Sequence, residues 1–219
     1  VGELKPEYVI SSIAKIANKK YTIQDNKYKI PALKHLPRFC AGCPYWFVFA
    51  TVKKLASKNA VFGGDIGCYM LAGAAPHNVY DYLSAMGSSI GIGHGVSKAT
   101  SGQKVIAFIG DSTFFHAGIP ALINSIFNKS DILLIILDNG TTAMTGHQPN
   151  PGTSIRENTN AGSEYKFEWE GYEQNSATSE SPIRIEDVVK ACGVKNLKVL
   201  DSFNIKDMES TLNEFLPKK

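Results

Sequence analysis

The 219-residue chain has no apolar run approaching the roughly 20 residues of a membrane-spanning helix. Its first residues lack the apolar region of a secretory signal, so a soluble, cytoplasmic protein with no membrane contact is expected. Neither sign of charge dominates: 23 Lys and Arg face 20 Asp and Glu, for a net charge of +3. The lysines fall in scattered pairs, Lys19-Lys20, Lys53-Lys54 and Lys218-Lys219, rather than on one face, which removes the case for nucleic acid. No internal repeat is present, which sets repeat architectures aside. Cysteine is scarce, four in all, and disulfides are disfavoured inside cells, so paired cysteines point to metal or redox work. The chain opens on Val1 instead of methionine and reads as a fragment or processed product of something longer.

What is present is apolar content of 43%, enough to bury a substantial core as one large domain or one domain with extensions. Val9, Ile10, Ile13 and Ile16 repeat at helical spacing behind Pro6, which predicts a short amphipathic helix within residues 3–20. A polar connector follows, so 1–37 is read as an N-terminal helix and connector and 38–219 as the main domain. That domain alternates as a wound sheet does. Strands are expected at Ala60–Gly63, Val105–Gly110, Ile132–Asp138 and Leu197–Leu200. Helices are expected at Phe47–Leu55, Tyr80–Ala99, Ile119–Phe127 from Pro120 onward, Ile185–Ala191 and Asp207–Phe215. The fold class is therefore α/β, a doubly wound, mostly parallel sheet. Residues 152–182 are polar yet carry Tyr165, Phe167, Trp169 and Tyr172 in alternation, and read as an inserted loop or lid, or as a small hairpin excursion.

Gly110-Asp111-Ser112 ends one apolar strand, and Asp138-Asn139-Gly140-Thr141 ends the next. Two such strands bring Asp111 and Asn139 to one C-terminal edge of a parallel sheet, where open α/β sheets bind ligands. The Asp111 carboxylate, the Asn139 amide oxygen and a carbonyl turned inward near Gly140-Thr141 are three hard oxygen donors. They suit Mg2+ or Ca2+, and Mg2+ is commonly held by few protein ligands plus substrate phosphates, so the pair reads as a diphosphate anchor. A capping Asp and a turn Asn are the bland reading of each residue taken singly.

Cys40-Ala41-Gly42-Cys43 is a Cys-x2-Cys pair, followed by Cys68 and the distant Cys192. A thioredoxin-type pair, a Zn2+ site, a 4Fe-4S cluster, or one pair with two ordinary buried thiols are all consistent with that count.

Read together, these segments resemble the thiamine diphosphate-binding part of the 2-oxoacid:ferredoxin oxidoreductases, within that family most like the large subunit of the indolepyruvate type. The resemblance runs through Cys40-Ala41-Gly42-Cys43-Pro44, Gly64-Asp65-Ile66-Gly67-Cys68-Tyr69 and Ala85-Met86-Gly87-Ser88-Ser89-Ile90. It continues from Ile109 to Asn124 and from Leu137 to Pro149, and covers most of residues 36–152. It implies that Asp111, Asn139 and the Thr141 carbonyl bind Mg2+, that Gly110 and Ser112 lie against the diphosphate, and that Met86, with Gly87 beside it, wedges beneath thiamine. His116 and His147 become candidates for substrate contact, or cap turns. By the same resemblance Cys40, Cys43, Cys68 and Cys192 would hold a 4Fe-4S cluster. The implied partners are a pyrimidine-binding domain or subunit, ferredoxin, a 2-oxoacid and coenzyme A, in an oligomer.

The family pattern after the second cysteine is Pro-His-Arg, whereas this chain has Pro44-Tyr45-Trp46. Neither the pyrimidine-binding domain nor the ferredoxin-like domain of the family's large subunit lies within these residues, so the chain alone is expected to be inactive. Two other classes stay open: a non-oxidative decarboxylase subunit of the sulfopyruvate type, which needs no cluster, and a non-enzymatic scaffold with four cysteines on zinc.

Overall fold

Apolar side chains, many of them β-branched, run unbroken through Val105–Ile109 and Ile132–Leu137, a composition suited to strands covered on both faces. In the computed structural model these segments are β2 and β3, and Val61–Gly63 is β1. The structure describes residues 6–22, 37–100, 102–153 and 183–218. The chain divides into two units, Val1–Leu36 and Pro37–Lys219. In the first, helix α1 (Pro6–Ile16) forms as its periodicity predicts, with Val9, Ile10, Ile13 and Ile16 exposed. No described helix is long and apolar enough to cross a membrane.

The second unit is built on a parallel sheet of order β1-β2-β3 among the described residues. Val105 pairs with Ile132 and the register holds to Gly110 opposite Leu137, so the residues after both strands emerge at one edge. Alternation along the strands divides the core in two. Ile106, Phe108, Leu133, Ile135 and Leu137 meet Val48, Phe49 and Val52 of α2 (Tyr45–Leu55) and Met208 and Leu212 of α7 (Ile205–Phe215). On the other face Ile109, Leu134 and Ile136 meet Ile90 of α3 (Ser88–Ala99), Leu122 of α5 (Ile119–Phe127) and Val189 of α6 (Ile185–Ala191). Helices therefore cover both faces, and the sheet is doubly wound as expected.

Three elements differ from the sequence reading. Tyr80–Gly87 is not helical: Tyr82 instead bridges Gly63 in parallel, and the Asp81 N–H donates to the Phe62 carbonyl, extending the sheet past β1. The helix after β2 starts nine residues before Pro120, because α4 (Asp111–Thr113) and a π-helical turn at Phe114–Gly118 run directly into α5. Such a turn accommodates an extra residue in the helical ladder and recurs at functional sites. Leu197–Leu200 forms no strand; Leu197 packs against the α3-side cluster and Leu200 against the α2-side cluster. Its apolar residues bridge two cores rather than joining a ladder, which a strand pattern cannot distinguish. Of the proposed 152–182 insert, residues 154–182 lie outside the described residues.

Candidate functional site

The register of β2 and β3 sets Asp111 and Asp138-Asn139 just beyond paired residues, at the same C-terminal edge. Asp111 is 4% exposed, and Ser112 and Thr113 beside it are also buried. A carboxylate leaves water at a cost unless hydrogen bonds or a charge replace the solvent. Here the Asn150 amide donates to Asp111 Oδ2 at 3.0 Å. Burial nonetheless pushes the Asp111 carboxyl above its ordinary range; the Ser112 N–H and Asn150 oppose this, and neighbouring Asp138 adds to it. Two carboxylates at one sheet edge, one of them buried, form a place where a cation relieves an existing electrostatic cost. The donor set thus fits a hard divalent metal such as Mg2+.

The loop after β3 wraps this edge. Asn139 Oδ1 accepts from the Thr141 N–H at 3.1 Å, and Asp138 Oδ1 accepts from the Gly140 N–H at 2.9 Å. Both are the local turns that Asx side chains make. The Thr142 hydroxyl donates to Ser112 Oγ at 2.8 Å, and the Thr153 hydroxyl donates to the Gly140 carbonyl at 2.6 Å. The loop is thereby tied to the strand-end motif and to the turn at Asn150. Gly110 has a steric role: a Cβ there would lie 2.6 Å from the Tyr69 ring. No larger residue fits without moving Tyr69, which also keeps the backbone bare where a phosphate would approach.

On the β1 side, Met86 is 52% exposed and Gly87 adopts the left-handed conformation at φ 82°. His116 lies on the π-helical turn and His147 has φ 62°; both are exposed. Every residue of the expected diphosphate anchor is thus at or beside the C-terminal edge of the sheet.

The cysteines divide. Cys43 and Cys68 pack against the α2-side cluster, and burial raises both thiols. Cys40 raises both further as a neighbouring thiolate would. Cys192 caps α6 and packs against the cluster on the opposite face of the sheet. Among the described residues no three His, Cys, Asp or Glu side chains converge as a metal site. Of the four cysteines expected together from the sequence, Cys43 and Cys68 thus lie against one core cluster and Cys192 against the other, and spacing along the chain carries no record of which sheet face a distant helix covers.

Several residues of the site escaped the sequence reading. Asn150 is buried against Asp111 from 39 residues away and belongs to an Asn-Pro-Gly turn that signalled only a loop. Tyr45, at the position of the family's His, is buried. Burial raises its phenol first, and Asp111, Cys68 and Cys43 add to that. Asp65 is fully buried and bonded to the turn that carries Met86.

Comparison with known proteins gives a match over residues 65–219 to the family described as thiamine pyrophosphate enzyme, C-terminal TPP binding domain. The chain is 41% identical over 187 residues to indolepyruvate oxidoreductase subunit IorA of Methanothermobacter marburgensis, covering 82% of this chain and 27% of that protein. It is 36% identical over 236 residues to the subunit of the same name from Thermococcus kodakarensis, covering 99% of this chain and 34% of that protein. The chain therefore spans about a third or less of the length of these curated relatives. A 2-oxoglutarate:ferredoxin oxidoreductase from Magnetococcus marinus superposes with a TM-score of 0.63 at 15% identity, over 86% of this chain and 65% of that one. At that identity the likeness is one of fold.

Proposed function

The chain belongs to the thiamine pyrophosphate enzymes, as a C-terminal TPP-binding domain, and from this we propose that it is the Mg2+-dependent diphosphate-binding part of a 2-oxoacid:ferredoxin oxidoreductase of the indolepyruvate type. The observation that carries the reading is the buried Asp111 carboxylate, crowded by Asp138 at the C-terminal edge of parallel strands. Asp111, Asn139 and the Thr141 carbonyl would hold Mg2+ and, through it, a diphosphate. Asn150 orients Asp111 by the hydrogen bond its side-chain amide donates to Oδ2. Gly110 and Ser112 present backbone and hydroxyl to the phosphates, and exposed Met86 supports the thiamine rings. When bound, thiamine diphosphate supplies the electron sink for decarboxylating a 2-oxoacid. His116 and His147, open to solvent at the same edge, would contact the substrate. A pyrimidine-binding domain or subunit would complete the site in a cytoplasmic oligomer, with coenzyme A and ferredoxin as acyl and electron acceptors.

Titration of the chain with thiamine diphosphate tests this. Weak binding that requires Mg2+, with no 2-oxoacid oxidation, is the expected result; oxidation by this chain alone would refute the missing-partner part of the reading.

The separation of Cys192 favours a second reading, a non-oxidative decarboxylase subunit that needs no cluster. Cys40, Cys43 and Cys68 would give a 4Fe-4S cluster only three of its four thiolates. Anaerobic reconstitution with iron and sulfide is expected to give the same iron content for wild type and for Cys192→Ser. Iron lost on that substitution would restore the fourth cysteine as a ligand, and a colourless, iron-free wild type would support the non-oxidative reading.

A further inference from the structure

Asp65 is an ionisable side chain with no exposed surface, a state that demands full hydrogen bonding. Its Oδ1 accepts the N–H of Ile66 at 2.7 Å and that of Gly87 at 2.7 Å, and its Oδ2 accepts the N–H of Ser89 at 2.9 Å. The carboxylate thus joins the end of β1 to the first turn of α3 across 22 to 24 residues of chain. Bonds from amides to a charged acceptor are stronger and more directional than those between neutral groups. From the opposite side the turn is closed by the π-helical segment, since a Cβ on Gly87 would stand 2.4 Å from the Cβ of Ala117. Gly87 must also hold φ 82°, which other residues adopt only at a cost. Between these two restraints Met86 projects outward, 52% exposed, at the end of the fold where the diphosphate anchor lies.

We propose that Asp65 is a positioning residue that fixes the Met86-Gly87 turn, so that Met86 is preset as the support for the cofactor's ring system, while the diphosphate anchor, which touches this region through the Thr113 hydroxyl on the Ile66 carbonyl, is held chiefly by its own bonds to Asn150 and Thr142. This rests on the thiamine diphosphate reading above. Asp65 touches no cofactor atom in this scheme; it acts through the backbone of Gly87 and Ser89. The two halves of cofactor recognition therefore depend on different carboxylates: Asp111 for the diphosphate, Asp65 for the rings.

The test compares two probes, thiamine diphosphate and inorganic pyrophosphate, each titrated with Mg2+ against wild type, Asp65→Asn and Met86→Ala. Asparagine keeps the shape but turns its amide NH2 toward one of the N–H donors, and losing a charged hydrogen bond corresponds to about a tenfold effect. Asp65→Asn is expected to weaken thiamine diphosphate about tenfold and to leave pyrophosphate within about twofold of wild type. Met86→Ala, an exposed position that does not threaten folding, is expected to show the same split. The double variant is expected to lose no more than Met86→Ala alone, since the two residues act in series. Hydrogen exchange provides a readout free of cofactor, with the Gly87 and Ser89 amides exchanging faster in Asp65→Asn while those of β2 keep their protection. Equal loss of both probes, or unchanged thiamine diphosphate affinity in Asp65→Asn or Met86→Ala, would overturn the proposal. A wild type that binds pyrophosphate but not thiamine diphosphate would instead overturn the functional reading, and the positioning role with it.

Discussion

Replacing Asp111 by Asn is expected to weaken Mg2+-dependent thiamine diphosphate binding by at least about 100-fold, above the 10- to 100-fold effect typical of residues one shell further out. The substitution preserves shape and leaves Asn150 within reach of an amide, so the lost quantity is the charge offered to the metal. Calorimetric titration with and without Mg2+ isolates it, because the variant with Mg2+ should behave as the wild type does without the metal. A reduction below about threefold would move the anchor to Asp138. The same substitution has the opposite effect on the empty protein. Burial and Asp138 raise the folded-state pKa of Asp111, so the folded chain binds this proton more readily than the unfolded chain. By linkage, the group's contribution to stability is highest at acid pH and falls as pH rises through the window between the unfolded and raised folded values. At neutral pH the ionised carboxylate is thus a cost, and Asp111→Asn should raise the melting temperature of the metal-free chain. Higher stability with lower affinity in one variant is the signature of a residue kept for binding.

Phe108→Ala is expected to remove about 3–5 kcal/mol of folding stability, a large share of the roughly 5–15 kcal/mol that a domain possesses. Phe108 has no exposed surface, and its ring lies 4.8 Å from that of Phe49 and 5.9 Å from that of Tyr80. It joins β2 to α2 and to the segment after β1, so truncation opens a cavity where three elements meet. Urea denaturation measures the loss, and a value under about 1 kcal/mol would contradict the packing described. Because Phe108 lies two residues before Gly110 on the same strand, the variant should also loosen the diphosphate anchor.

The parts of this architecture legible from sequence are those in which one segment carries its own signal. Val105–Gly110 and Ile132–Leu137 are uninterrupted apolar strands, and parallel pairing then places Asp111 and Asn139 at one edge without further information. The helices α1, α2, α6 and α7 follow from local periodicity. Tyr80–Gly87 departs from the helical pattern of its sequence because its conformation is dictated from outside, by the Tyr82 bridge to Gly63 and by the Asp65 carboxylate on the Gly87 N–H. The early start of the helix after β2 was hidden because Pro120 resembles a helix opening, whereas here the helix passes through a π turn before reaching it.

By itself, then, the sequence determined the wound sheet and the edge at which Asp111 and Asn139 stand, since strand composition and parallel pairing depend on short segments and one register. The tertiary structure alone decided which groups surround those residues: Asn150 on Asp111, Asp65 under the Met86 turn, Tyr45 buried against Tyr69, and Cys192 on the far face of the sheet. Each of these depends on contacts across many residues, made by the packing of helices onto two opposite faces, and neither spacing nor composition along the chain encodes a face.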